Sequence, residues 1–146
     1  MSETGTQPQR RITVDTPVGF ELIGVAKKAA IQLMGSRVWG RFNPNHWDPV
    51  YARQTGLKAP IQTGEMSSAY ISEMCVNWFG ADFFRGSRIS CKYVASVWAE
   101  EVITTGGRVR EKVPKGNGAR FTVDVWAKNA AGETKTVGFV EVDVGV

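Results

Sequence analysis

The stretch GEMSSAYISEMCVNWF, residues 64–79, is the strongest constraint on how this chain folds. Met66, Ala69, Tyr70, Met74 and Trp78 recur at the three- and four-residue spacing of one helix face, and Ile71, Cys75, Val76 and Phe79 fill much of the remaining circumference. A helix apolar on most sides must be covered on most sides. The rest of the chain therefore has to build a shell around this segment.

The text after Gly80 has the character of such a shell. Ile89, Cys91 and Tyr93 alternate with Arg88, Ser90 and Lys92, and Phe121, Val123 and Val125 alternate with Thr122, Asp124 and Trp126. This is the period of strands with one buried face. Asn129-Ala130-Ala131-Gly132 is a turn signal before a last strand from Thr134 to Val144. Gly106-Gly107 and the segment Pro114 to Gly118 read as turns or bulges. The N-terminal third is mixed, with short apolar stretches at Ile12 to Val14 and Phe20 to Val25. One long apolar helix followed by antiparallel strands predicts an α+β domain, a curved sheet wrapped around a central helix. At 146 residues there is room for one such domain. It is expected over residues 18–146, behind a polar, flexible tail at residues 1–17.

Charge and cysteines narrow the partners. The formal charge is +4, but Lys and Arg are scattered singly or in pairs such as Arg10-Arg11 and Lys27-Lys28, and no basic stripe is interleaved with stacking aromatics. Nucleic acid is not the expected ligand; an anionic small molecule suits the surplus. Cys75 and Cys91 lie in apolar text without CxxC or CxxH company, so buried reduced thiols are expected and no metal or cofactor is implied. No apolar run reaches membrane-spanning length and the first residues lack a signal-peptide pattern. No membrane association is expected, and the default location is cytoplasmic.

Within NPNHWDP, residues 43–49, stands the chain's single histidine. Asp48-Pro49 is a helix start: the Asp side chain accepts unpaired N–H groups and Pro gives up one that had no partner. Gly56 is placed to end that helix after Pro49 to Thr55. Asp48 thus has a sufficient explanation as a cap. His46 has an ordinary explanation too, a ring hydrogen-bonded to a neighbouring carbonyl. A sharper one comes from APIQTGEM, where Gly64 opens the apolar helix. Free N–H groups at a helix N-terminus can hold a carbonyl oxygen that becomes negative during reaction. A base beside such a site is the equipment for moving a proton next to a thioester carbonyl.

The stretch NPNHWDPVYARQTGLKAPIQTGEMSSAYISEM resembles the hydratase region of MaoC-like proteins, hotdog-fold enoyl-CoA hydratases and dehydratases specific for (R)-3-hydroxyacyl thioesters. Asn43, Pro44, His46, Asp48, Tyr51, Ala52, Gly56, Pro60, Ile61 and Gly64 stand in the places of that family's pattern. The resemblance implies a single hotdog domain and a hydro-lyase acting on acyl-CoA or another acyl thioester. It implies His46 as acid or base, Gly64 N–H as the group that polarises the thioester carbonyl, and Asp48, or a group from another chain, as what orients the water. Arg41, Asn43, Gln62 and Thr63 would contact substrate. A homodimer or higher oligomer, or a heteromer with another hotdog chain, is implied as well.

One position departs from the pattern. Arg41 stands where the family carries the Asp that shares a water with the histidine, and a guanidinium stays protonated and cannot act as a base. Asn45 also replaces an aliphatic residue. Three readings follow: a hydratase or dehydratase working through His46; a hotdog enzyme of different chemistry that pairs Arg41 with a carboxylated substrate; or a non-catalytic subunit of a heteromeric hydratase. Trp39, Trp47, Trp78, Phe83 and Phe84 cluster near these motifs in sequence. They raise the expectation of a ring-bearing acyl group against the plainer one of core packing.

Overall fold

The computed structural model describes residues 11–34 and 42–146. Five strands form one antiparallel sheet: β1 (Glu21–Lys28), β2 (Arg88–Tyr93), β3 (Val102–Lys115), β4 (Gly118–Asn129) and β5 (Thr134–Val144), in the order β1-β3-β4-β5-β2. Helices α1 (Ile31–Met34) and α2 (Pro49–Gln54) precede the long α3 (Gly64–Phe79). The apolar text of residues 64–79 is this helix, and the sheet curves around it.

Alternation decides which strand face meets α3. Phe121, Val123, Val125, Val140 and Val142 point inward and pack with Ile71, Met74, Cys75 and Phe79 in one core. Burying a side chain of this size is worth roughly 1.5–3 kcal/mol, so the inward register of β4 and β5 is strongly specified. Burial pushes the Cys75 thiol up to about 12 and raises that of Cys91. Both cysteines are free and stay protonated near neutral pH.

Gly106-Gly107 lies inside β3 and not at a turn, and Gly106 borders a bulge, where the register with β1 jumps between Ile23 and Ala26. A Cβ on Gly106 would sit 2.5 Å from Trp126 Nε1, and one on Gly107 would sit 3.2 Å from the Asp124 carbonyl oxygen. Gly106 makes room for the Trp126 indole, and Gly107 faces the neighbouring strand and the core at Val123 and Met74. The Pro114 to Gly118 signal does mark a hairpin, with its turn at Gly116 and Asn117 and Gly116 at φ +54°. Pro114 itself belongs to β3, where it pairs with Ala119 beyond the reach of β1, so its missing N–H costs no ladder bond. Asn129 closes the β4–β5 turn by accepting from the N–H groups of Ala131 and Glu133.

Packing extends upstream of residue 18. Ile12 is 2% exposed, and its N–H donates to the Trp78 carbonyl at 2.7 Å. The ordered body therefore reaches Ile12. Among the described residues no helix is long and apolar enough to cross a membrane, and no group of His, Cys, Asp or Glu could hold a metal ion.

Candidate active site

The loop carrying His46 is tied down by its own side chains. Asn43 Oδ1 accepts from Asn45 N–H at 3.1 Å, and the Pro44 carbonyl accepts from Asp48 N–H at 2.8 Å. Asp48 Oδ1 accepts from the N–H groups of Val50 at 2.9 Å and Tyr51 at 3.2 Å, capping α2 ahead of Pro49. Thr55 Oγ1 donates to Asn45 Oδ1 at 2.6 Å, joining the far end of α2 back to the loop. The helix start read from Asp48-Pro49 is present, and the cap accounts for Asp48. Replacing Asp48 by Ala should lower stability by about 1 kcal/mol, within a 0.5–2 range, as measured by urea unfolding. A loss under the error of the measurement would show that the cap contributes nothing.

His46 is half-buried, and its Nδ1 lies 2.7 Å from the Ile61 carbonyl oxygen. A carbonyl oxygen can only accept, so Nδ1 carries the proton and the neutral ring keeps its lone pair on Nε2. The Asn45 carbonyl accepts from Ile61 N–H at 3.0 Å, so two bonds clamp the histidine loop to the segment leading into α3. That is the orientation a general base requires: one nitrogen held, the other available.

The same segment presents the helix start. Ile61 bridges Trp98, and Gln62 N–H donates to the Val97 carbonyl at 2.8 Å. Thr63 is the N-cap of the 16-residue α3, yet its side chain makes no capping bond, and its Oγ1 is buried without a partner among the described residues. The first N–H groups of α3 have no acceptor within the helix. They border a cleft of about 290 Å³ walled by Gln62, Thr63, Gly64, Tyr93 and the Val94–Val97 loop. Glycine is required at 64, because a Cβ there would stand 2.6 Å from the Tyr93 ring. The Tyr93 hydroxyl is 2.6 Å from Ser68 Oγ, which holds the ring against the helix start.

Of the residues expected at the site, His46 and the Thr63–Gly64 helix start are joined through Ile61 and Gln62, although His46 does not wall the cleft. Gln62 has its carboxamide occupied: Nε2 donates to Ser67 Oγ at 3.0 Å and Oε1 accepts from Tyr70 OH at 3.2 Å. It braces the first turns of α3, and Asn43 likewise spends its Oδ1 on its own loop. Arg41 and Trp39 lie outside the described residues. Of the expected aromatics, Trp78, Phe83 and Phe84 do not wall the cleft. Trp78 is in the core with its indole N–H on the Ile23 carbonyl, and Phe83 and Phe84 follow the C-terminal end of α3. That end is on the order of 20 Å from Gly64 at 1.5 Å per helical residue. Tyr93 escaped the sequence reading, since nothing local to β2 shows that its ring lies on a helix start.

The MaoC like domain matches residues 6–131, and the chain belongs to this family of hydratase- and dehydratase-type hotdog domains. Among solved structures it is similar to the R-hydratase PhaJ1 from Pseudomonas aeruginosa, in its unliganded form, at 26% identity. That match has a TM-score of 0.75 and covers 89% of this chain and 83% of the other. The (R)-hydratase from A. caviae involved in PHA biosynthesis matches at 19% identity and a TM-score of 0.71, over 89% and 98% of the two chains. The ChsH1-ChsH2 complex from Mycobacterium tuberculosis matches at 20% identity and a TM-score of 0.72, over 88% and 98%. No curated protein sequence matches significantly.

Proposed function

We propose that this chain adds water to 2-enoyl thioesters, or removes it from 3-hydroxyacyl thioesters, with His46 as the acid-base group. The observation that carries the reading is the bond from His46 Nδ1–H to the Ile61 carbonyl, which in the neutral ring puts the lone pair on Nε2. In hydration, Nε2 takes a proton from water as the water oxygen bonds to the β-carbon. The double-bond electrons move toward the thioester oxygen, which becomes negative against the N–H of Gly64. The resulting enolate then collapses, and its α-carbon takes the proton back from the imidazolium. One imidazole can serve both transfers, so Arg41 in place of an acidic residue does not stop the cycle. Acyl-CoA is the substrate form that family membership favours.

The purified chain should consume the conjugated-thioester ultraviolet absorbance of 2-enoyl-CoA and yield the (R)-3-hydroxyacyl product. Failure to hydrate any chain length would reject the reading for the chain alone. A second reading, a non-catalytic subunit beside a complete hotdog chain, is favoured by Arg41 at the family's acidic position. A silent chain that becomes active on mixing with such a partner would establish it. β2 is an edge strand with Ile89 and Tyr93 exposed, and Val94 just after it is exposed as well. Such an edge is normally covered, which supports a homodimer or a hotdog heteromer assembled there.

A further inference from the structure

Lys135 is 2% exposed, a fully buried cation on β5 that the proposed reaction does not use. Its Nζ donates to the Ser96 carbonyl at 2.8 Å and to Glu133 Oε1 at 2.8 Å, and it lies 3.5 Å from Glu101 Oε2. The Lys135 carbonyl accepts from the N–H groups of Val94 at 2.9 Å and Ala95 at 3.2 Å. Glu101 completes the clamp: Oε2 accepts from Trp98 N–H at 2.8 Å and Oε1 from Asn129 Nδ2 at 3.0 Å. Burial works against the Glu101 charge, yet these donors and the Lys135 cation hold its carboxyl below the ordinary range. The loop 94–98 is therefore gripped from below by one ammonium and one carboxylate.

That loop carries the site. Val97 accepts from Gln62 N–H, Trp98 bridges Ile61, and the Ile61 carbonyl holds His46 Nδ1. We infer that Lys135 is a positioning residue: through the 94–98 loop it sets the place of the Ile61 carbonyl, and thereby fixes the histidine with Nε2 free. The placement of its target depends on a buried charge because a carbonyl on an irregular loop has no strand ladder to hold it. Removing one partner of such a buried pair leaves the other charges and the Ser96 carbonyl uncompensated. The loop must move to reach water.

The inference rests on the reading of His46 as the base, but its test needs no substrate. His46 is the only histidine, so its ring nitrogens give unambiguous ¹⁵N resonances. In the full chain at a pH where the ring is neutral, the wild type should show the proton on Nδ1. Lys135→Met, with a dispersed spectrum showing that it is folded, should shift the ring toward the Nε2–H form. If Lys135→Met does not fold, Lys135→Gln, which is neutral but still a donor and too short to reach Ser96, is read in the same way. A folded variant with the wild-type tautomer overturns the inference and leaves Lys135 a stabilising residue only. Where turnover is measurable, kcat should fall by about 10- to 100-fold while KM changes little. An inactive wild type would sink the proposed reaction without touching the tautomer result.

Discussion

His46→Ala should reduce hydration of 2-enoyl-CoA by about 10²- to 10⁴-fold, the usual contribution of a positioned general base. The fold should survive. His46 is half-buried on a loop, and the bonds that shape the loop run from Asn43, Pro44, Asp48 and Thr55 and not from the imidazole. Circular dichroism and the melting temperature check the fold, and the loss of enoyl thioester absorbance checks the rate. Because the Nδ1 bond to Ile61 is the imidazole's one tie to the α3 segment, His46→Gln is a second arm: it can donate to that carbonyl but cannot act as a base at neutral pH. Turnover retained in either variant would remove His46 from the chemistry and return it to the ordinary role of a loop histidine.

Gly64→Ala should cost about 10²-fold in kcat/KM, the effect of displacing reacting groups by roughly 1 Å. At most exposed helix positions alanine is better than glycine by about 1 kcal/mol, so a loss here has to come from contact. The added Cβ would meet the Tyr93 ring at 2.6 Å, and that ring is tethered through its hydroxyl to Ser68. Either the helix start or the ring has to move, and both border the cleft. The double variant Gly64→Ala with Tyr93→Ala separates the two. Recovery of much of the activity would show that the ring transmits the damage, since contacting residues couple non-additively. Wild-type rates in Gly64→Ala would contradict a role for this helix start in holding the thioester.

What could be read in advance followed local periodicity. The apolar segment 64–79 is α3 to the residue, and the alternation at Phe121, Val123 and Val125 faces the core as its period requires. Asp48-Pro49 was legible because a cap is made within a few residues. Gly106-Gly107 was legible as a bulge but not as a strand interior, and the close approach of Trp126 to Gly106 comes from a neighbour on another strand. Gln62 stood beside a helix start and looked free for substrate, whereas Ser67 and Tyr70, one and two turns further along α3, occupy its carboxamide. His46 could be found by type and by family pattern, but the group that selects its tautomer is a backbone carbonyl fifteen residues away, which no side-chain letter encodes. Lys135 and Tyr93 were invisible for the same reason: each acts across a tertiary contact with text that gives no local cue.

The most direct measurement is a structure of the chain with a bound 3-hydroxyacyl-CoA. The account predicts His46 Nε2 within about 2.6–3.2 Å of the 3-hydroxyl oxygen, the span of a working proton transfer, and the thioester oxygen on the Gly64 N–H. An acyl group lodged away from His46, with its thioester oxygen held by other donors, would contradict it.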